Sequence, residues 1–319
     1  MPYNLMIKKI LLIGAGPMAV DYFKVLKALN YDVTVVGRSE KSALDFEAKT
    51  GQKAFAGGLN SFLKSSAYEF EAAIVAVGVE QLASTTAELI NHGIVSILVE
   101  KPAGMNRKEI EDLAILSSLK KADVFVAYNR RFYSSVLKAE EIIKTDGGVS
   151  SFNFEFTEWA HVIEPLQKAP GVKETWLLAN STHVIDLAFY FGGKPAVMNS
   201  YTSGQLSWHK HSAYSGAGRS VTGALFSYQA NWEAPGRWVL EVLTKNSRLI
   251  FKPMEELQIQ VKGSVAINKV EIDNALDTQF KPGLYRQTEA FLVKEYSKLK
   301  SIAQQLEDAK IYEQIALGS

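Results

Sequence analysis

Residues 9–20 read KILLIGAGPMAV. Lys9 to Ile13 is an apolar run of strand length, and the turn Gly14-Ala15-Gly16-Pro17-Met18-Ala19 follows at once. Beyond it Val20, Phe23, Leu26 and Leu29 recur on one face, which predicts a helix from Pro17 to Leu29. Strand, tight turn and helix in succession form the dinucleotide-binding fingerprint, here with alanine in the third glycine position. Gly14 permits the tight turn, Gly16 lets a pyrophosphate approach the backbone, and small Ala19 allows close helix–strand packing. The helix N-terminus presents free N–H groups and a positive dipole end to the anion. Pro17 fits the first helical turn, where no N–H bond is lost.

The second strand selects the dinucleotide. A carboxylate gripping a ribose 2′-hydroxyl belongs at its C-terminal end. Asp32 stands before the strand Val33 to Val36, at the wrong end; the right end reads Val36-Gly37-Arg38-Ser39. A guanidinium and a hydroxyl suit a 2′-phosphate better, so NADP(H) is favoured over NAD(H).

Further outward, strands over Ala72 to Val77, Ile94 to Val99 and Val124 to Ala127 alternate with helices near Gln81 to Asn91 and Lys108 to Leu119. Unalternating apolar strands separated by helices predict a parallel sheet covered on both faces. The pattern changes after about Asn129. A helix from Ser134 to Lys144 is followed by period-2 segments at Ser151 to Glu158, Val197 to Tyr201, Val221 to Trp232, Trp238 to Thr244, Arg248 to Phe251 and Glu256 to Val261. One helix, near Thr182 to Phe191, interrupts them, and helical periodicity returns from Tyr285 to Leu317. The expected fold class is α/β. A nucleotide-binding domain over residues 1–129 precedes an α+β domain over 130–319 with a large, mainly antiparallel sheet. The C-terminal helix has the option of packing back on the first domain. Ser203 to Arg219, rich in Gly and Ser, reads as a long polar loop, mobile or functional.

Composition narrows the function. The 319 residues carry 35 Lys plus Arg against 34 Asp plus Glu, a net charge of +1. That supplies no field to recruit nucleic acid or an anionic membrane. The absence of cysteine excludes disulfides, thiolate catalysis and Cys-ligated zinc. No apolar run approaches the roughly 18 residues of a spanning helix. Lys8 and Lys9 before Ile10 to Val20 loosely mimic a secretory leader, but Gly14, Gly16 and Pro17 interrupt it; the expected location is cytoplasmic.

Glu100-Lys101-Pro102 follows the strand Ile94 to Val99, at the sheet end where ligands bind. An ammonium there can hydrogen-bond a substrate hydroxyl, and Pro102 fixes the turn in a setting that accepts a cis bond. His183 and Asp186, three apart, share a helix face. A histidine can take or return an alcohol proton, with Asp186 to orient it. His209 and His211 alternate without a carboxylate cluster, so no metal is expected. His92 and His161 carry no constellation. Trp159, Trp176, Trp208, Trp232 and Trp238 all fall in the second domain, where they suit sugar stacking or core packing.

Taken together these residues resemble the glucose–fructose oxidoreductase / inositol dehydrogenase (Gfo/Idh/MocA) family. The similarity runs from the Gly14 turn through Glu100-Lys101-Pro102 to Tyr128-Asn129-Arg130-Arg131-Phe132. It continues with His183 and Asp186, Gly192-Gly193 and Leu306-Glu307-Asp308-Ala309. The resemblance implies a Rossmann domain, nicotinamide-dependent oxidoreduction of a pyranose or polyol, and a homodimer or homotetramer built on the C-terminal sheet. It implies Lys101 and His183 as the catalytic pair. Gly14, Gly16, Pro17, Met18, Arg38, Ser39, Val77, Glu100 and Lys101 become the expected cofactor set. Asn180, Asp186, Tyr128 and Arg130 become the expected substrate set, with Arg219 or Lys173 for a phosphate or carboxylate on the sugar. Ala179 stands where many relatives carry an acid, and Val79 and Leu82 stand where they carry Pro and His. The preferred reading is an NADP-dependent sugar oxidoreductase. The alternatives are a non-catalytic NAD(P)-responsive regulator, or an enzyme that recycles its cofactor internally, as epimerases and dehydratases do.

Overall fold

A computed structural model describes residues 9–65 and 69–318. Lys8 of the leader-like stretch lies outside the described residues. The chain divides into two compact units, Met1–Tyr128 with Gln279–Leu306, and Asn129–Thr278 with Glu307–Ser319.

The first unit is a seven-stranded sheet. β1 (Lys9–Ile13), β2 (Asp32–Val36), β3 (Ala54–Phe55), β4 (Ala72–Val75), β5 (Ser96–Glu100) and β6 (Asp123–Ala127) run parallel in the order 6-5-4-1-2-3. The short strand Lys300–Ser301 pairs antiparallel outside β6. Helices α1 (Pro17–Ala28), α2 (Glu40–Thr50), α3 (Gly58–Ser65), α4 (Leu82–Asn91) and α5 (Arg107–Lys120) link the strands. Ile10 to Ile13, Ala72 to Val75 and Ile97 to Val99 are buried throughout, as a sheet covered on both faces requires. β1 pairs with both β2 and β4, so the strand order reverses at β1, and ligands of such sheets bind beyond the strand ends at that point.

The second unit opens with a 3-10 turn, Asn129–Phe132, and α6 (Ser134–Thr145). Its strands are β7 (Ser151–Glu155), β8 (Pro195–Ser203), β9 (Ala213–Ser220), β10 (Leu225–Asn231), β11 (Val239–Leu243), β12 (Ser247–Phe251), β13 (Gln258–Val261) and β14 (Asn268–Lys269). They form one sheet in the order 14-13-12-11-7-10-9-8, antiparallel except for the β7–β10 pair. The helices α7 (Ala160–Ile163) and α8 (Thr182–Gly192) separate β7 from β8. Val184, Ile185, Leu187 and Ala188 of α8 share one core with Phe152, Phe154, Phe226 and Tyr228 of the sheet. The register places Phe152 opposite Phe226 and Phe154 opposite Tyr228, and both pairs stack with ring centroids 5.3 Å apart.

The reading of Ser203 to Arg219 as a loop is corrected. Its second half is β9, hydrogen-bonded to β8 on one side and β10 on the other. Two of the glycines that suggested a loop, Gly216 and Gly218, are strand positions across which aromatic rings lie. A Cβ on Gly216 would sit 2.4 Å from the Tyr228 ring, and one on Gly218 would sit 2.6 Å from Phe226. Glycine within a strand marks such a close approach as readily as it marks a turn.

Candidate active site

The sharp turn after β1 is built as a cradle. Gly14 has φ +122°, and a Cβ there would lie 2.3 Å from the Ala76 carbonyl oxygen, so only glycine fits. A Cβ on Gly16 would meet nothing within 4 Å, which means Gly16 faces open space. Gly16 is the N-cap of α1, with Pro17 in the first turn, no side-chain cap and no acidic residue nearby. An uncapped helix N-terminus beside exposed glycine backbone fits a dinucleotide pyrophosphate. Gly16 and Pro17 are exposed and Met18 is half-buried, all at the mouth of the turn. Val77, half-buried after β4, flanks Gly14, with its nitrogen 3.5 Å from where that Cβ would stand.

Arg38 and Ser39 follow β2 at the same sheet end and are exposed. Arg38 makes no hydrogen bond or ion pair among the described residues, so its guanidinium is available to a ligand. Ser39 has a local role: its hydroxyl accepts from the Ser42 N–H at 3.2 Å and caps α2. Asp32 is the first residue of β2, at the opposite end of that strand.

Lys101 leaves the C-terminal end of β5 and is half-buried. The turn that carries it is firmly tied. The Lys101–Pro102 bond is cis, the Ala103 N–H donates to the Glu100 carbonyl at 3.1 Å, and Gln305 Nε2 donates to the Pro102 carbonyl at 3.0 Å. The Glu100 carboxylate accepts from Tyr22 of α1 at 2.7 Å, and Gln287 Nε2 donates to the same hydroxyl at 3.3 Å. Burial pushes the Glu100 carboxyl up from its ordinary value, against the Tyr22 hydrogen bond and the charge of Lys101. Glu100 thus braces the helix of the glycine turn against the strand end that carries Lys101. The Tyr128 ring is buried in this unit, with the Lys300 ammonium 4.5 Å from its centroid.

In the second unit Arg131 forms a buried bidentate pair with Asp186, Nε at 2.8 Å and Nη2 at 2.7 Å. Burial opposes the guanidinium charge, but Asp186 outweighs it and holds Arg131 above its ordinary value. This pair pins the Asn129–Phe132 turn to α8. Burial lowers the pKa of neighbouring Arg130, whose guanidinium lies 4.5 Å over the Trp238 ring.

His183 is the second residue of α8, and the preceding turn, Leu177–Ser181, is a π-helix. Such wide turns are common at functional sites because they re-aim side chains. The His183 ring is buried, 6.2 Å from the Trp238 ring. Asn180 and Ser181 both donate at 2.8 Å to one oxygen of Glu158, a buried carboxylate that sequence reasoning passed over. Its signal was present: Phe152, Phe154 and Phe156 face inward, and position 158 is in phase with them.

The remaining candidates have structural partners. His209 is buried, with Nδ1 2.9 Å from the His211 carbonyl, and burial lowers its pKa. Among the described residues no group of three His, Asp or Glu could hold a metal ion. Trp176, Trp232 and Trp238 are core residues, Trp208 packs against that core, and Trp159 is exposed. Lys173 Nζ donates to the Glu164 carbonyl at 2.5 Å, and Arg219 lies on the outward face of the sheet between Val197 and Leu225. Among the described residues no helix is long and apolar enough to cross a membrane.

Comparison with known proteins agrees with this architecture. A levoglucosan dehydrogenase solved with NADH and L-sorbose superposes with a TM-score of 0.78 at 18% identity, over 98% of this chain and 96% of its own. A UDP-N-acetylglucosamine 3-dehydrogenase from Acidithiobacillus ferrooxidans gives 0.75 at 14% identity, over 97% of each chain. An oxidoreductase from Agrobacterium radiobacter, in complex with NAD+, L-tartaric acid and magnesium, gives 0.75 at 14% identity, over 98% and 96%. No curated protein matches the chain. Residues 8–128 match the profile described as an oxidoreductase family with an NAD-binding Rossmann fold. The similarity to the Gfo/Idh/MocA oxidoreductase family is thus carried by the nucleotide-binding part of the chain.

Proposed function

We propose that the chain is an NADP(H)-preferring oxidoreductase acting on a hydroxyl or keto carbon of a sugar, sugar phosphate or sugar derivative. The observation that carries this reading is the placement of Lys101. It leaves β5 at the sheet end that carries the Gly14–Ala19 cradle, on a turn held by Glu100, Gln305 and Tyr22. The dinucleotide, when bound, supplies the hydride acceptor or donor. The backbone of the glycine turn holds its pyrophosphate, and Arg38 faces the 2′-phosphate. The Lys101 ammonium donates a hydrogen bond to the reacting oxygen and stabilises the charge that grows there. His183 takes or returns the hydroxyl proton. Asn180, Tyr128 and Arg130 contact the sugar, while Asp186 positions α8 through Arg131. The sugar dehydrogenases among the structural neighbours support the substrate class. The levoglucosan dehydrogenase and the Agrobacterium radiobacter oxidoreductase carry NADH and NAD+, so the preference for NADP(H) rests on Arg38 and the missing carboxylate.

The test is absorbance at about 340 nm with sugars, sugar phosphates and nucleotide sugars, beside fluorescence titrations with NADPH and NADH. NADPH is expected to bind about tenfold more tightly than NADH, and Arg38→Ala to erase that difference. Equal binding of both by the unaltered protein removes the NADP preference. Tight binding without turnover of any sugar, or with cofactor never released between turnovers, moves the reading to the regulator or the internal recycler.

The outward face of the second sheet supports self-association. Val197 and Leu225 flank Arg219 on adjacent strands, and Tyr201 stands on the same face; all three apolar residues are well exposed. A homodimer or homotetramer through this face is expected, and light scattering at micromolar concentration checks it; a monomeric mass rules it out.

A further inference from the structure

We propose that the substrate sugar carries a carboxylate and that Arg130, stacked on Trp238 and flanked by Arg237, receives it. This rests on the oxidoreductase reading above and narrows its substrate class.

The argument starts from two adjacent arginines in opposite states. Arg131 spends two nitrogens on Asp186. Arg130 spends none: its guanidinium lies 4.5 Å over the Trp238 ring and 5.8 Å from the Tyr133 ring, and it forms no ion pair among the described residues. Its Nε is sealed from solvent without an acceptor, and so is Nε1 of Trp238. Guanidinium and indole nitrogens only donate, so what this cluster lacks is an acceptor. Buried polar groups in native proteins are nearly always satisfied, and each exception calls for an explanation, a functional role among them. Arg130 as a whole residue is half-buried.

Arg237 adds a second cation on the same indole, 4.9 Å from the Trp238 ring and 4.7 Å from Trp159. Its ion pair with Glu158 is long, at 3.6 Å, and uses the oxygen that Asn180 and Ser181 leave alone. The His183 ring lies against the same Trp238 face group, 6.2 Å between centroids. The cluster therefore adjoins the residue assigned to proton transfer.

The charge count favours a monoanion. Glu158 and Glu255 are close enough for Arg130 to feel their fields, yet neither pairs with it. With Arg130 and Arg237 they make two carboxylates against two guanidiniums, so the cluster has no excess positive charge to favour a dianion. A planar carboxylate also matches the in-plane fork that a stacked guanidinium presents.

The experiment is calorimetric binding to the NADPH-loaded protein. The probes are D-glucuronate, D-galacturonate and D-mannuronate, their parent hexoses, and D-glucose 6-phosphate. At least one hexuronate is expected to bind roughly 10- to 100-fold more tightly than its parent hexose. Arg130→Gln is expected to weaken the acid far more than the hexose and so abolish that advantage, whereas Arg219→Gln, on the outward sheet face, leaves the ratio as it is. Should Arg130→Gln fail to fold, the acid-over-hexose ratio of the unaltered protein decides alone. Equal binding of acids and hexoses, tightest binding of the phosphate, or no binding by any acid each overturns the proposal. The readout needs no turnover. A protein that prefers the acids but oxidises nothing keeps the subsite and loses the reaction, and one that turns over hexoses with no preference for acids does the reverse.

Discussion

Lys101→Ala is expected to lower kcat/KM by about 10²- to 10⁴-fold, the usual range for removing one proton-handling or charge-stabilising group. The loss should fall mainly on kcat, because the ammonium's contribution grows as the reacting oxygen gains charge. NADPH affinity should change little, since the proposed pyrophosphate cradle, Gly14, Gly16 and the N-terminus of α1, does not use the Lys101 side chain. Stability should also change little. Lys101 is half-buried, and its turn is secured by backbone and neighbouring bonds: Ala103 to Glu100, Gln305 to Pro102 and Tyr22 to Glu100. Steady-state kinetics on the substrate found at 340 nm, paired with a thermal melt, checks all three statements. Turnover within a factor of three of the unaltered protein would take Lys101 out of the chemistry.

The second large effect is on folding. Asp186→Ala leaves the Arg131 guanidinium buried with its principal counter-charge gone, and breaking such a pair from one side costs about 3–5 kcal/mol. The burial decides the magnitude: the side chains are 11% and 2% exposed, so water can replace little of what is lost. An exposed pair such as Lys41–Asp45 would cost far less, because water and salt screen it in the folded protein. Replacing both partners together, Arg131→Met with Asp186→Leu, should recover most of the loss, because no charge is then stranded. Urea unfolding of the single and double variants measures the difference. If the double variant is no more stable than Asp186→Ala, the ion pair is not the source of the effect.

The residues differ in how openly the sequence announced them. The Gly14–Ala19 turn was legible because its signal is local: strand, glycine spacing and helix lie within twelve consecutive residues. Lys101 was legible once the strand before it was, since the strand end fixes its position. The Arg131–Asp186 pair was not, because its partners lie 55 positions apart and spacing suggested instead that Asp186 orients His183. β9 was missed because glycine carries the same letter whether it makes a turn or makes room for Tyr228 and Phe226. Glu158 was passed over because no acidic motif surrounds it. Only the phase of the three phenylalanines before it placed it inside, and alternation is normally read for apolar residues.

The division of the chain carries a consequence for how the protein is made. Part of the first unit is encoded last. Phe291 and Tyr296 lie against Phe125 of β6, with ring centroids 6.3 and 4.3 Å apart, and Gln287 meets Tyr22 of α1. All three come from Gln279–Leu306, which leaves the ribosome only after residues 129–278. At roughly 5–20 residues per second that delay is on the order of ten seconds, during which the nascent nucleotide-binding sheet presents Phe125 and Tyr22 uncovered. A ribosome stalled at Thr278 would hold a half-clad domain, of the kind chaperones attend to.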